Sequence, residues 1–209
     1  MTGRRRARHL PLAGVLGIAG LLALAGCATA AGDATGSGDG HGAHGGASEP
    51  ADASDASVEA SDADVMFAQM MIPHHEQALE MSAIVLAKPG LDAEVANLAG
   101  QIEAAQGPEI AQLEGWLEEW GAPREMPEGH GHEMDGMLSA EDLAALEAAD
   151  SAAASTRFLE QMIAHHEGAV AMAEEQLESG THQGALELAR SIVDSQTDEI
   201  ERMRGLLEG

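Results

Sequence analysis

Two pairs of adjacent histidines, each flanked by methionines, are the side chains in this sequence best suited to chemistry. The first pair lies in "FAQMMIPHHEQALEM" at residues 67–81, and the second lies in "FLEQMIAHHEGAVAM" at residues 158–172. Imidazole nitrogen and thioether sulfur together suit soft monovalent ions, Cu(I) above all and also Ag(I). Mg²⁺ and Ca²⁺ require oxygen ligands instead. The pattern therefore predicts copper as the bound metal, with Cu(I) the favoured state.

Helical periodicity places these side chains on one face. An α-helix turns by about 100° per residue, so residues spaced by three, four and seven positions share a stripe. Each segment then carries Met, His, Ala and Met in one stripe, and the second histidine of each pair lies on an adjoining stripe. If the two stripes face each other, four histidines and four methionines are gathered in one interior region, where Ala78 and Ala169 leave room.

Two other functions fit the same residues. In a structural or partner-binding module, the histidines would only form hydrogen bonds in the core and the methionines would fill gaps. A ferritin-like metal oxidase needs Glu-x-x-His on facing helices, whereas Glu76 directly follows the histidines, so carboxylates near the centre are expected to be scarce. Burying four imidazoles is costly unless each finds a partner, which favours a metal site over packing alone. No nucleophile constellation is present, and we expect a binding protein, not an enzyme.

The segment "MPEGHGHEMDGM" at residues 126–137 is a second candidate metal site. Its His-x-His motif stands among three methionines in a stretch rich in glycine. In an exposed loop, this composition suits the capture and transfer of copper more than its permanent storage. An ordinary glycine-rich spacer is the alternative. The candidate ligands of this second site are Met126, His130, His132, Met134 and Met137.

The elements that must position these side chains are predicted to be helices. Aromatic residues make up only 2% of the chain and tyrosine is absent, so strand-forming residues are few. Good helix formers dominate the apolar and acidic residues, which predicts an all-α fold. Proline, glycine and capping residues divide the periodic segments. The predicted helices extend from about 58 to 87, 92 to 120, 139 to 148, 151 to 178 and 182 to 207.

The two histidine segments belong to a longer internal repeat. Residues 67–81 match 158–172 at an offset of 91, and residues 98–110 match 188–200 at an offset of 90. Each half is therefore a helical hairpin, and two hairpins predict a four-helix bundle with approximate two-fold symmetry. The connection over about 121–150 is long enough to cross the bundle lengthwise. Such a crossover makes the third long helix antiparallel to the first, as in ferritin-like bundles.

The first 26 residues have the features of a lipoprotein signal peptide. The arginines of "RRRAR" precede a short apolar run, and "LAGC" at residues 24–27 resembles a bacterial lipobox. We expect cleavage before Cys27, the only cysteine, and its acylation; an uncleaved membrane anchor is the alternative. Residues 27–57 are expected to form a disordered linker and residues 58–209 the folded domain. The lipid would hold the protein on the extracytoplasmic face of the cell membrane.

The charge of the chain argues against one class of partner. The sequence carries 36 acidic and 10 basic residues, a net charge of −26. Removal of the first 26 residues takes away four arginines and no acid, which leaves −30. Nucleic acid requires a basic face and is therefore not an expected partner. Once Cys27 is acylated no thiol remains, so any soft ligand must be a thioether or an imidazole.

The doubled motif resembles a known family. Residues 67–81 and 158–172 both follow FxxxMIxHHExAxxM, and the hairpin partners carry EIxxLxxWL at 109–117 and EIxxMxxLL at 199–207. Over about residues 60–208, the chain resembles the domain of unknown function 305 family, which includes CopM-like secreted copper-binding proteins. The resemblance implies a ferritin-like four-helix bundle, outside the cytoplasm, that binds copper through Met and His. The ligands that it implies are Met71, His74, His75, Met81, Met162, His165, His166 and Met172.

The residues and the resemblance lead to one functional hypothesis. We expect an extracytoplasmic, lipid-anchored protein that buffers Cu(I) or hands it over. Its expected partners are the membrane, through the lipid on Cys27, and a protein that donates or accepts copper.

Overall fold

Five helices account for most of the part of the chain that the structure describes. The structure is a computed structural model, and it describes residues 60–126 and 135–209. No strand occurs in those residues, so the prediction of an all-α fold is confirmed. The helices are α1 (Asp62–Leu86), α2 (Ala93–Glu119), α3 (Ala140–Ala148), α4 (Ser151–Ser179) and α5 (Gln183–Glu208).

Local sequence explains where the helices begin and end. α1 opens with a capping box, in which the Ser61 hydroxyl accepts a hydrogen bond from the Asp64 N–H and the Asp64 carboxylate accepts one from the Ser61 N–H. Ser139 and Asp142 form the predicted capping box of α3. α1 ends before Gly90, whose φ of 76° favours glycine. Because these signals are local, every predicted helix limit lies within four residues of the observed one.

α1 packs against α4, and the two helices run in opposite directions. The carboxylate of Asp64, near the start of α1, accepts hydrogen bonds from Gln176 near the end of α4 and from Thr181 just beyond it. α1 also pairs with α2, and α4 pairs with α5, as two hairpins. Towards the opposite end of α1, Arg202 of α5 donates a hydrogen bond to Asn97 of α2. The connection from α2 to α4 must therefore run along the length of the helices.

A polar layer separates two apolar clusters in the interior. On α1, one cluster ends at Ile72 and the other begins at Ala78. The turn between them holds His74 and His75, and both side chains are fully buried. α4 has the same arrangement at the equivalent positions of its own repeat. Buried polar atoms require partners, so this layer is the part of the core whose contacts need explanation.

Several predictions fall on residues outside the described part of the chain. These are the signal peptide at 1–26, the linker at 27–57 with Cys27, and three residues of the second candidate metal site, and they stay predictions. Within residues 60–126 and 135–209, no helix is both long and apolar enough to cross a membrane.

Candidate metal centre

His74 of α1 and His165 of α4 face each other midway along their helices. Their ring centroids are 3.7 Å apart, and the ring planes are tilted by 39°. Both side chains are completely buried. They occupy equivalent positions in the two repeats, so the antiparallel packing of α1 on α4 brings them together. We refer to these two residues as the central pair.

None of the four ring nitrogens of the central pair has a hydrogen-bond partner within the described residues. The backbone of Asp135 lies beside His74 and favours a proton there, but it does not reach hydrogen-bonding geometry. Burial, helped by the neighbouring His75, lowers the pKa of His74 to about 3. Burial and the nearby His74 also hold the pKa of His165 far below its ordinary value. Both imidazoles are therefore neutral at pH 7, the form that binds metal.

His75 and His166 each bond to a glutamate on the other helix of their own hairpin. His75 Nε2 is 2.8 Å from Glu109 Oε2 of α2, and His166 Nε2 is 2.7 Å from Glu199 Oε2 of α5. A carboxylate accepts the hydrogen bond, so Nε2 carries the proton in both rings. The expectation that carboxylates are scarce near the centre did not include these two glutamates. It considered only the glutamate that follows each histidine pair, whereas the carboxylates come from α2 and α5.

The Nδ1 atoms of His75 and His166 are buried and have no partner among the described residues. A histidine that binds metal commonly donates its other ring N–H to a carboxylate, which orients the ring and makes the lone pair more basic. The bonds to Glu109 and Glu199 create this arrangement, with Nδ1 as the free lone pair. The same bonds join α1 to α2 and α4 to α5, so they also have a structural role.

The eight predicted ligands are not gathered in one region. Met71 and Met162 are fully buried, and each lies about one turn from the histidine pair of its own helix. Met81 and Met172 each lie seven residues beyond the central histidine of their helix, which is about 10 Å along the axis. Met81 is enclosed in an apolar cluster, and Met172 is only partly buried. Of the four predicted methionine ligands, the helix rise therefore leaves Met71 and Met162 closer to the central pair than Met81 and Met172.

The end of the crossover packs directly against the central pair. A Cβ atom on Gly168 would lie 1.9 Å from the Asp135 carbonyl oxygen, so this position of α4 requires glycine. Gly136, with a φ of 84°, lies against the α4 backbone in the same way. The Gln77 side chain donates a hydrogen bond to the Leu138 carbonyl at 3.0 Å and accepts one from the Leu138 N–H at 2.6 Å. The crossover is thus fixed to both central helices beside the histidines, which the sequence did not reveal.

The second candidate site is only partly within the described residues. Met126 and Met137, at its two ends, are partly buried. The chain before it is held to α1 by Gln69, whose side chain donates a hydrogen bond to the Pro123 carbonyl at 2.7 Å. The candidate ligands outside the described residues are His130, His132 and Met134. That site therefore stays a prediction.

The donor set at the centre determines which ions it suits. In residues 60–126 and 135–209, no group of three or more His, Cys, Asp or Glu side chains is arranged to hold a metal ion. Neutral imidazole with nearby thioether is the combination that soft ions prefer.

Comparison with known proteins places the folded part of the chain in a family. A family model described as domain of unknown function (DUF305) matches residues 64–207. The chain belongs to the DUF305 family. No curated protein matches the chain.

Solved DUF305 structures resemble this protein over most of its folded part. A Streptomyces coelicolor DUF305 protein, named as a candidate secreted protein, is 37% identical, with a TM-score of 0.66 over 70% of this chain and 91% of that one. A DUF305 fragment from Deinococcus radiodurans is 37% identical, with a TM-score of 0.65 over 71% and 97%. CopM in its Cu(I)-bound form is 31% identical, with a TM-score of 0.59 over 69% and 95%. CopM has also been solved in Cu(II)-bound and Ag-bound forms.

Proposed function

We propose that this DUF305 protein binds Cu(I) at the buried histidine centre and buffers it or hands it over to a partner protein. The observation that supports this most directly is the central pair, His74 and His165, in contact and without hydrogen-bond partners among the described residues. A buried polar atom left unpaired costs about 1–3 kcal/mol. Packing alone gives no reason to place four such nitrogens at one point, whereas a bound ion would provide their missing partner.

The chemistry of the ligands supports a soft ion. The central imidazoles are neutral at pH 7, and the buried thioethers of Met71 and Met162 lie about one helical turn from them. CopM, which is 31% identical, has been crystallised with Cu(I). A nitrogen ligand lies about 2 Å from its metal, as zinc sites illustrate. Because the two rings are in contact, an ion shared by them requires the rings to rotate apart.

We further propose that α1, α2, α4 and α5 form a ferritin-like four-helix bundle attached to the cell membrane. The antiparallel contact of α1 with α4 and the lengthwise crossover support the bundle. The lipobox-like sequence at residues 24–27 supports a lipid on Cys27 and a position on the extracytoplasmic face. The Streptomyces coelicolor relative, named as a candidate secreted protein, supports export. The partners would be the membrane and a copper donor or acceptor, with no bond-making reaction.

A structural module is the second candidate, and one observation favours it. His75 and His166 already have carboxylate partners, as core histidines that hold helices together do. In such a module the central pair would only fill space between the two apolar clusters. An oxidase has weaker support, because Glu109 and Glu199 are already bonded to the outer histidines.

An anaerobic Cu(I) titration of the full-length protein against a competing chelator tests the proposal. The decisive variant is H74Q/H165Q, and H75Q/H166Q, which makes the same change one residue away, measures the separate contribution of the outer histidines. We expect the central variant to weaken binding by more than about 100-fold, since even partners outside the coordination sphere are worth 10–100-fold. Circular dichroism checks that both variants fold.

Two other outcomes of the titration would contradict the proposal. Tight binding that survives in H74Q/H165Q would move the metal site away from the central pair. Absence of tight binding in the wild-type protein would remove the copper function and support the structural module.

A further inference from the structure

Three methionines line a groove on the seam between α1 and α4. Met66 and Met70 come from α1 and Met172 comes from α4, and the groove has a volume of about 240 Å³. Met66 is 48% exposed, the highest value for a large apolar side chain among the described residues. Met70 and Met172 are partly buried. Three thioethers are therefore accessible to solvent in one groove. Packing of the core does not explain why methionines occupy these partly exposed positions.

The placement of the three thioethers permits a shared ligand. Met66 and Met70 are four residues apart on one helix, so their Cβ atoms are separated by about 6 Å. Each side chain has three rotatable bonds, which allows the sulfur atoms to converge on an ion. Asp62 and Glu175, one from each helix, line the same groove and attract cations. Thioether sulfur selects soft ions such as Cu(I) and Ag(I) over hard ones.

The second repeat lacks the residues that make this groove. Several core positions, including both histidine pairs and the phenylalanine seven residues before the first histidine of each, carry the same residue in the two repeats. Met66 and Met70, by contrast, have no methionine counterpart in the second repeat, so the groove is not a by-product of a duplicated core. Met81, the counterpart of Met172, is fully buried. The residues that correspond to Met66, Met70, Asp62 and Glu175 are Arg157, Gln161, Ala153 and Ile84.

The groove lies close to the central pair. Met70 precedes His74 by four residues, which is about 6 Å along the axis of α1. We infer that Met66, Met70 and Met172 form a separate, solvent-accessible capture site for a soft monovalent ion, Cu(I), which then passes to the central pair. This inference rests on the proposed copper function. The ion keeps its single positive charge throughout, and the transfer exchanges sulfur ligands for nitrogen ligands.

Methionine-methyl NMR of the full-length protein, titrated with Ag(I), tests the capture site. Ag(I) is diamagnetic and shares the ligand preference of Cu(I), so each coordinating thioether reports through its own methyl resonance. The proteins are the wild type, H74Q/H165Q, M66L/M70L/M172L and the control M203L, which makes the same conservative change in the core of α5. Leucine for methionine conserves volume, so we expect both methionine variants to fold.

The expected result is one Ag(I) that binds without the central pair. In H74Q/H165Q, the methyl resonances of Met66, Met70 and Met172 should shift together and saturate at one ion. M66L/M70L/M172L should bind one ion fewer than the wild type, and M203L should bind the same number.

Three results would overturn the inference. If the groove methyls stay in place while those of Met71 and Met162 shift, the capture site is refuted and the central metal site stands. If the three groove methyls shift at different Ag(I) concentrations, they bind separately and do not form one site. If no methyl resonance shifts in any protein, the capture site and the proposed function both fail.

Discussion

Position 77 of the first repeat corresponds to position 168 of the second, and the two carry very different residues. Gln77 reaches out and exchanges two hydrogen bonds with the backbone of Leu138. Gly168 has no side chain, and the carbonyl oxygen of Asp135 lies in the space that a Cβ would take. Both residues hold the end of the crossover, one by adding polar atoms and the other by leaving room for the backbone.

A second pair of equivalent positions shows the same divergence. In the second repeat, Glu167 accepts a hydrogen bond from Arg204 of α5. In the first repeat, the position of Arg204 is occupied by Glu114, and Arg124 of the crossover bonds both Glu114 and Glu76. The buried histidines and the glutamates that bond to them are the same in the two repeats. The positions that surround them differ, because only the first repeat bonds the crossover through Arg124. Chemistry at the centre and attachment of the crossover are therefore separable by mutation.

The pH dependence of stability is the strongest test of whether His74 and His165 have equivalent surroundings. The pKa of His74 is about 3 in the folded protein and the pKa of His165 is also strongly lowered, against about 6.5 in an unfolded chain. The unfolded state therefore binds more protons below pH 6.5, so stability is complete above that pH and falls as the pH is lowered. Each histidine should contribute about 1.4 kcal/mol per pH unit.

Urea unfolding of the metal-free protein between pH 4.5 and 7.5 measures this slope. H74Q and H165Q should each remove the same part of it, and the double variant should remove both parts. The many carboxylates contribute equally to all four proteins, so the differences isolate the histidines. Unequal changes in the two single variants would show that the surroundings of His74 and His165 are not equivalent.

Gly168→Ala tests the different ways in which the two repeats hold the end of the crossover. The added Cβ meets a backbone carbonyl that cannot yield easily, and overpacking of this kind costs about 1–3 kcal/mol. Gln77→Ala should cost about 1–2 kcal/mol through the loss of two hydrogen bonds. Urea unfolding at pH 7 gives both values. The control is Gly115→Ala in α2, which meets nothing within 4 Å and should gain about 0.5–1 kcal/mol. A neutral G168A would refute the close approach of Asp135.

A further test of the two repeats concerns the outer carboxylates. If Glu109 and Glu199 orient histidines that bind metal, E109Q and E199Q should each weaken Cu(I) binding by about 10–100-fold. The two losses should be similar because the two His–Glu distances are similar. The competition titration measures them, and E76Q, at an exposed position, is the control. Unchanged affinity in both variants would assign His75 and His166 to packing alone.

Most of the fold could be predicted from the sequence because its determinants are local. The 3.6-residue periodicity gave the helices, and the capping box at Ser139 and the Pro-Gly after Lys88 gave their ends. The repeat also indicated that His74 and His165 would face each other. These features depend on residue spacing within a helix or on the internal repeat, and both can be read directly from the sequence.

Contacts between separate helices could not be predicted in the same way. Glu109 and Glu199 repeat at an offset of 90 as clearly as the histidines do at 91, yet their bonds depend on the register between the two helices of a hairpin. The repeat also predicted equal surroundings for Met81 and Met172. α3 occurs once, and its Leu146 packs in the cluster that encloses Met81, whereas the cluster at the other end contains no α3 residue.

The unprotonated state of the central imidazoles changes what acid does to this protein. Histidine sites ordinarily release protons when a metal binds, so their affinity falls in mildly acidic surroundings. Here the low pKa values mean that no proton has to leave before an ion enters at pH 5 to 7. The heat of metal binding should accordingly be the same in buffers of different ionisation enthalpy. Under the proposed function, competition between acid and metal at pH 5 to 7 is displaced from the binding equilibrium into the folding equilibrium.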